Sequence, residues 1–188
     1  MRGILLCLLS FILVGCAALG MPGAISERVS GFDNTTEISM EPAWLIGGSG
    51  AIKLGLYKTS KMNEYQVVLV AVVMGTYNFG NKDSLQFNID GETLSLDSTD
   101  LLTNIETKEG SYNSAAYLPA YNESSKRYWV KKDFIKRLLD AKKVWVKVNL
   151  SSDYVDGEFS KDSPGAARPA FRKFFEKVWG NKQSEGQE

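Results

Sequence analysis

The apolar positions of this chain fall into runs of different period, and each period predicts a different element. Residues 35–40 alternate loosely and stop at Pro42, while Ile52, Leu54 and Leu56 stand on one side of residues 51–57, so both read as half-buried strands. Leu85, Phe87 and Ile89 alternate before Asp90-Gly91-Glu92, and Leu94 and Leu96 alternate after it. Alternation on both sides of an Asp-Gly pair predicts a β-hairpin. Val144, Val146, Val148 and Leu150 align as a further strand, and a short one is expected at residues 115–118, before Pro119. Residues 65–74 are apolar almost throughout, rich in valine and closed by Gly75, which fits a central strand buried on both faces.

Two stretches change to helical period. Phe134, Ile135, Leu138 and Leu139 share one face, with Lys131, Lys132, Lys136 and Arg137 largely elsewhere. After Pro169, Phe171, Phe174, Phe175 and Val178 stand at i, i+3, i+4 and i+7. Residues 47–50 read as a turn and 151–165 as a loop. Residues 101–123 are mixed and polar, the expected place for an exposed functional surface. The prediction is one α+β domain over residues 27–180, mostly antiparallel sheet, with one helix before the last strand and one at the C-terminus. A small, flexible tether (16–26) precedes it and a polar tail (181–188) follows. No repeat of solenoid or propeller period is present.

The beginning of the chain follows another logic. Arg2, the apolar run 4–14 and Gly15-Cys16 place positive, apolar and small residues in the order of a secretory signal, residues 1–15. The run is about half of what a bilayer-spanning helix needs. An ordinary cleaved signal with an incidental cysteine is the competing reading. Leu13-Val14-Gly15-Cys16, with the helix–strand–helix order of the C-terminal part, resembles small Gram-negative lipoproteins. That resemblance implies cleavage before Cys16 and acylation of its thiol and new amine, each buried CH₂ of the chains contributing about 0.8 kcal/mol of anchoring. By the same resemblance, Ala17 in place of an aspartate implies the outer rather than the inner membrane.

Composition narrows the chemistry. The chain has 22 basic and 22 acidic residues, and losing Arg2 with the signal leaves a net charge near −1. Nucleic acid and anionic lipid faces call for a basic footprint that this balance does not supply. Cys7 leaves with the signal and Cys16 would be acylated, so no disulfide is available, and histidine is absent. The commonest general base, the commonest zinc ligand and the thiol nucleophile are thereby removed. No cofactor and no metal are expected.

The remaining motifs are incomplete. Gly47-Gly48-Ser49-Gly50-Ala51 approaches a nucleophile elbow, but Ala51 takes the last glycine position, a strand follows and no histidine exists to activate Ser49. As a phosphate cradle it fails at Lys53, where a glycine is required. Asp153, Asp156, Glu158 and Asp162 surround Gly157 without EF-hand spacing, which suits a solvated acidic loop better than a calcium site. Carboxylate pairs such as Asp97 and Asp100, or Glu106 and Glu109, suit glycoside hydrolysis only if folding sets them across a cleft. Tyr112, Tyr117, Tyr121, Tyr128 and Trp129 form the one concentration of aromatics typical of binding surfaces, although core or edge packing accounts for the same residues.

The leading expectation is a membrane-tethered, non-enzymatic lipoprotein, anchored at Cys16 and facing the periplasm, that binds another envelope protein through residues 101–123 and those aromatics. The alternatives are a small-ligand or glycan binder with a pocket between helix and sheet, and a carboxylate-dependent glycan hydrolase.

Overall fold

The computed structural model describes residues 21–112 and 117–180. Within them the protein is α+β, built mostly of antiparallel strands. Six strands form the larger sheet: β1 (Ile25–Val29), β2 (Thr36–Trp44), β3 (Ile52–Thr59), β4 (Gln66–Met74), β10 (Tyr121–Lys131) and β7 (Asn104–Lys108), side by side in that order. Four form the smaller one, ordered β12 (Tyr154–Glu158), β11 (Val144–Asn149), β5 (Leu85–Ile89), β6 (Glu92–Leu96). A two-residue ladder joins β8 (Ser111–Tyr112) to β9 (Tyr117–Leu118). Helix α1 (Lys132–Asp140) follows β10 directly, and α2 (Ala167–Phe175) runs into a π-helical turn at Glu176–Gly180. Among the described residues no helix is long and apolar enough to cross a membrane.

The alternation read in the sequence sets the core. Leu54 and Leu56 of β3, Val67, Leu69, Ala71 and Val73 of β4, Phe87 of β5 and Val144, Val146 and Val148 of β11 all enter one hydrophobic cluster with both helices. Phe87 meets Phe134 of α1 edge to face at 5.1 Å, and Phe159 meets Phe171 of α2 likewise at 5.0 Å. Within residues 65–74, Gln66–Met74 form a central strand, paired with β3 on one side and β10 on the other, while Tyr65 lies in the turn before it and is exposed. Asp90 and Gly91 make the predicted hairpin turn with φ of 51° and 98°, the two left-handed residues of a type I′ connection.

Several boundaries differ from expectation, each for a local reason. Pro42 does not end β2; the register shifts between Met40 and Ala43, and the bulge accommodates a residue that has no N–H to donate. Ile25 and Ser26, read as tether, belong to β1, a short edge strand whose exposed half is charged. The supposed loop 151–165 contains β12, so the helix before β11 does not precede the last strand. Segment 101–123 contributes β7, β8 and β9, and β10 begins within it. The second helix begins before Pro169, which lies in its first turn, where a missing N–H costs no helical bond. Val178, assigned to that helix, falls in the π-helical turn. Cys16, the signal and the tail 181–188 lie outside the described residues, as do residues 115 and 116 of the strand expected there.

Candidate functional site: the open face of the six-stranded sheet

Helices α1 and α2 and the smaller sheet share one core with the inward rows of the larger sheet. Its outward face carries a second apolar row, Val68, Val70 and Val72 of β4. Cross-strand neighbours decide how open each valine is. Val72 lies between Lys53 and Ser125, and the Lys53 ammonium reaches across to the Glu123 carboxylate, leaving Val72 buried. Val68 lies between Tyr57 and Trp129. Val70 lies between Arg127 and Gly55, and a glycine there contributes no side chain to cover it. Pro42, carried on the bulge of β2, takes the place of that side chain, and Gly55 is buried beneath it. A Cβ on that glycine would stand 3.1 Å from both the Met40 carbonyl oxygen and Pro42 Cγ.

Gly55, Val68 and Val70 line a groove of about 490 Å³, walled by Pro42, Tyr57, Met62 and Trp129. Val70 and Arg127 also line a second hollow of about 830 Å³ that extends over the loop carrying Leu101 and Leu102. Trp129 is 48% exposed, and Leu101 and Leu102 are 93% and 83% exposed. Between the two hollows Arg127 is held in place. Its Nη2 donates to Asp100 Oδ1 at 2.9 Å, its backbone N–H donates to Asp100 Oδ2 at 3.0 Å, and its carbonyl accepts from the Thr99 N–H at 3.0 Å. The guanidinium beside Asp100 holds that carboxyl below its ordinary range. This arrangement offers an apolar floor, an aromatic wall and one fixed cation, the anatomy of a contact surface.

Of the five aromatics singled out in the sequence, Tyr121, Tyr128 and Trp129 do not assemble into one patch. Tyr128 and Trp129 are neighbours on β10 and point to opposite faces. Tyr128 is fully buried, its hydroxyl 2.9 Å from Ser84 Oγ, so it belongs to the core and not to a surface. Tyr121 is 38% exposed but eight residues from Trp129, about 26 Å along an extended strand. Tyr112 and Tyr117 stand opposite each other in the β8–β9 ladder. Of the five, Trp129 lines the groove. Gly55, Tyr57, Val68, Val70 and Arg127 were missed; the one signal was a glycine interrupting an otherwise alternating strand.

The other motifs have structural duties. Gly48 has φ of 93°, and a Cβ on it would fall 2.1 Å from the Asp156 carbonyl oxygen. Ser49 and Asp156 exchange bonds: the Ser49 N–H donates to Asp156 Oδ1 at 2.7 Å, and the Asp156 N–H to Ser49 Oγ at 3.1 Å. The glycine loop thus clamps β12. Asp153 accepts from the Tyr154 N–H, Glu158 pairs with Ser160 and Lys161, and Asp162 lies 3.9 Å from Arg172, so these acids are dispersed among separate partners. Asp97 accepts the Asp83 N–H and Glu106 pairs with Lys108. Among the described residues no group of three or more acids is placed to hold a metal ion. Between α1 and the hairpin turn lies a cleft lined mainly by charged side chains, including Glu92, Asp133 and Arg137.

Compared with protein-family models, curated proteins and solved structures, the chain matches none of them.

Proposed function

We propose that this chain is a non-enzymatic lipoprotein of the Gram-negative envelope, anchored by acyl chains on Cys16, whose periplasm-facing domain binds another envelope protein across the open face of its larger sheet. The observation that carries the reading is the groove at Gly55. Sheet faces exposed to water normally alternate to polar residues, whereas this one sets Val68 between Trp129 and Tyr57, with Val70 next to it on the same strand. Exposed Leu101 and Leu102 line the adjoining hollow on the other side of Arg127, and large exposed apolar side chains beside a groove mark interaction sites. Lipobox, signal order and Ala17 support placement at the outer membrane.

The test uses the full-length chain at native level with a photo-crosslinking residue in place of Trp129 or Leu101, and in a control in place of Lys173, exposed on α2. One envelope protein crosslinked from the first two positions and not from Lys173, and lost when Val70 is replaced by Arg, is expected. A Cys16→Ala chain is expected to lose both membrane attachment and the crosslink. An abundant, membrane-bound chain giving no crosslink from either position overturns the proposal.

A further inference from the structure

The outward face of the smaller sheet has a different chemistry, independent of the groove. Its register sets two complete rows across four strands: Glu158, Trp145, Asn88 and Thr93 in one, Asp156, Lys147, Gln86 and Ser95 in the next. One row further along β11 and β12, Asn149 faces Tyr154, which is 48% exposed. The face is therefore a track with an indole at one end, a phenol ring at the other and a strip of amide, hydroxyl, carboxylate and ammonium groups between. Four residues of β11 separate the ends, about 13 Å. A hollow of about 260 Å³ lies on it, lined by Trp145, Asn88, Thr93, Gln86, Lys147 and Asp156.

We propose that this track is a binding surface for a neutral oligosaccharide. A pyranose ring has an apolar C–H face and a rim of hydroxyls, so it is matched by a flat aromatic flanked by mixed donors and acceptors. Trp and Tyr supply the flat surface at low rotamer cost, and Asn, Gln, Thr and Ser donate and accept at once. The hollow is smaller than the roughly 300 Å³ at the low end of drug-sized pockets, and the track is longer than one ring. Asp156 and Glu158 stand beside the lone Lys147 in these rows, which disfavours a phosphorylated ligand. Apart from the two rings, the outward residues of the track are polar, unlike the apolar centre of a protein interface. Lys147 Nζ sits 4.2 Å from the Tyr154 ring centroid, over one face of that ring. Lys143 Nζ is 5.9 Å from the Trp145 ring centroid, at the outer limit of such a contact.

The experiment is isothermal titration of the full chain, in a detergent without a sugar headgroup, with a tetramer of β-1,4-linked N-acetylglucosamine and with the glucose tetramer. Saturable binding of either, with a dissociation constant of about 1 mM or tighter, is expected. Trp145→Ala should weaken it about tenfold or more, and Trp145→Tyr, which keeps a stacking ring, should stay within about threefold of the parent. Tyr154→Ala, which removes the exposed ring at the other end of the track, should also weaken binding and serves if Trp145→Ala does not fold. Failure of both tetramers to saturate, or binding that Trp145→Ala and Tyr154→Ala leave equal to the parent, overturns the proposal. Neither readout depends on an envelope partner, so it stands or falls apart from the groove.

Discussion

At the scale of single residues, β10 shows how a buried strand can carry polar side chains on its inner face. Ser124, Lys126 and Tyr128 all point inward and are buried, and each is answered. Ser124 Oγ donates to the Gly75 carbonyl, Lys126 Nζ reaches the Gly80 carbonyl at 3.3 Å, and Tyr128 bonds Ser84. These bonds fasten the connection between β4 and β5 to the sheet, at the cost of a polar interior that only full pairing offsets. Burial pushes the Tyr128 phenol up to about 12 from an ordinary 10. An acid whose pKa is raised on folding stabilises the fold below its unfolded pKa and loses that contribution as pH rises. Unfolding free energy should therefore fall between pH 10 and about 12, by about 2–3 kcal/mol in full. Urea titrations at stepped pH check this. Tyr128→Phe should flatten that slope while costing about 1–2 kcal/mol at neutral pH, because Ser84 loses its partner. Gly48→Ala is a second case at this scale. With the Asp156 carbonyl in the way and a left-handed backbone, it should destabilise by more than about 1 kcal/mol, seen as a lower urea midpoint at unchanged slope.

At the scale of elements, the sequence was most legible where one face is buried and the other wet. β3, β4, the β5–β6 hairpin, β11 and both helices follow the period of their apolar residues. The unread strands share a different trait. β10 hides its alternation because its inward residues include Ser, Lys and Tyr, β7 is exposed along most of its length, and β1 and β12 are short edges with charged residues. Period two marks a strand only where apolar and polar residues sort by face, and edge strands avoid that sorting. The helices are held by named contacts. Arg168 of α2 donates through Nη2 to the carbonyls of Leu139 and Ala141, at 2.9 and 3.1 Å, closing the C-terminal end of α1. Phe171, fully buried against Phe159, anchors α2 to the core. Phe171→Ala should cost about 3–5 kcal/mol, read as a drop in melting temperature, with the loss concentrated in a residue that touches neither proposed binding face.

At the scale of the whole molecule, the two sheets share one core and turn chemically different faces outward. The larger presents a groove lined by Val68, Val70 and Trp129, and the smaller presents a polar track between two rings. Local aromatic density cannot sort core residues from surface residues on a strand such as β10. The run from Tyr112 to Trp129 looks continuous in the chain, but the pleat sends Tyr128 inward and Trp129 outward, and β10 is long enough to set Tyr121 far from both. The residues that line the groove come from segments far apart in sequence, with Pro42, Gly55 and Val70 brought to Arg127 only by the pairing of β2, β3, β4 and β10. Asp100→Asn should weaken the hold on Arg127 and on the loop bearing Leu101 and Leu102, reducing the crosslink from Leu101 more than that from Trp129. Because the Arg127 guanidinium lowers the Asp100 carboxyl from its ordinary range, that hold should outlast the ordinary titration of an aspartate as pH falls, and be lost on protonation of the carboxylate.

The sequence by itself determined what depends on neighbours in the chain: the hydrophobic periods, the Asp90-Gly91 turn, the helices and the α+β class. Its missing histidine and incomplete motifs also set the expectation of a chain without conventional catalytic chemistry. Tertiary structure alone decided what depends on register. The groove exists because Gly55 pairs with Val70, and the track because Trp145 pairs with Asn88 and Glu158. Strand pairing joins residues of unrelated position, and a shift of one residue would send every one of these side chains to the other face.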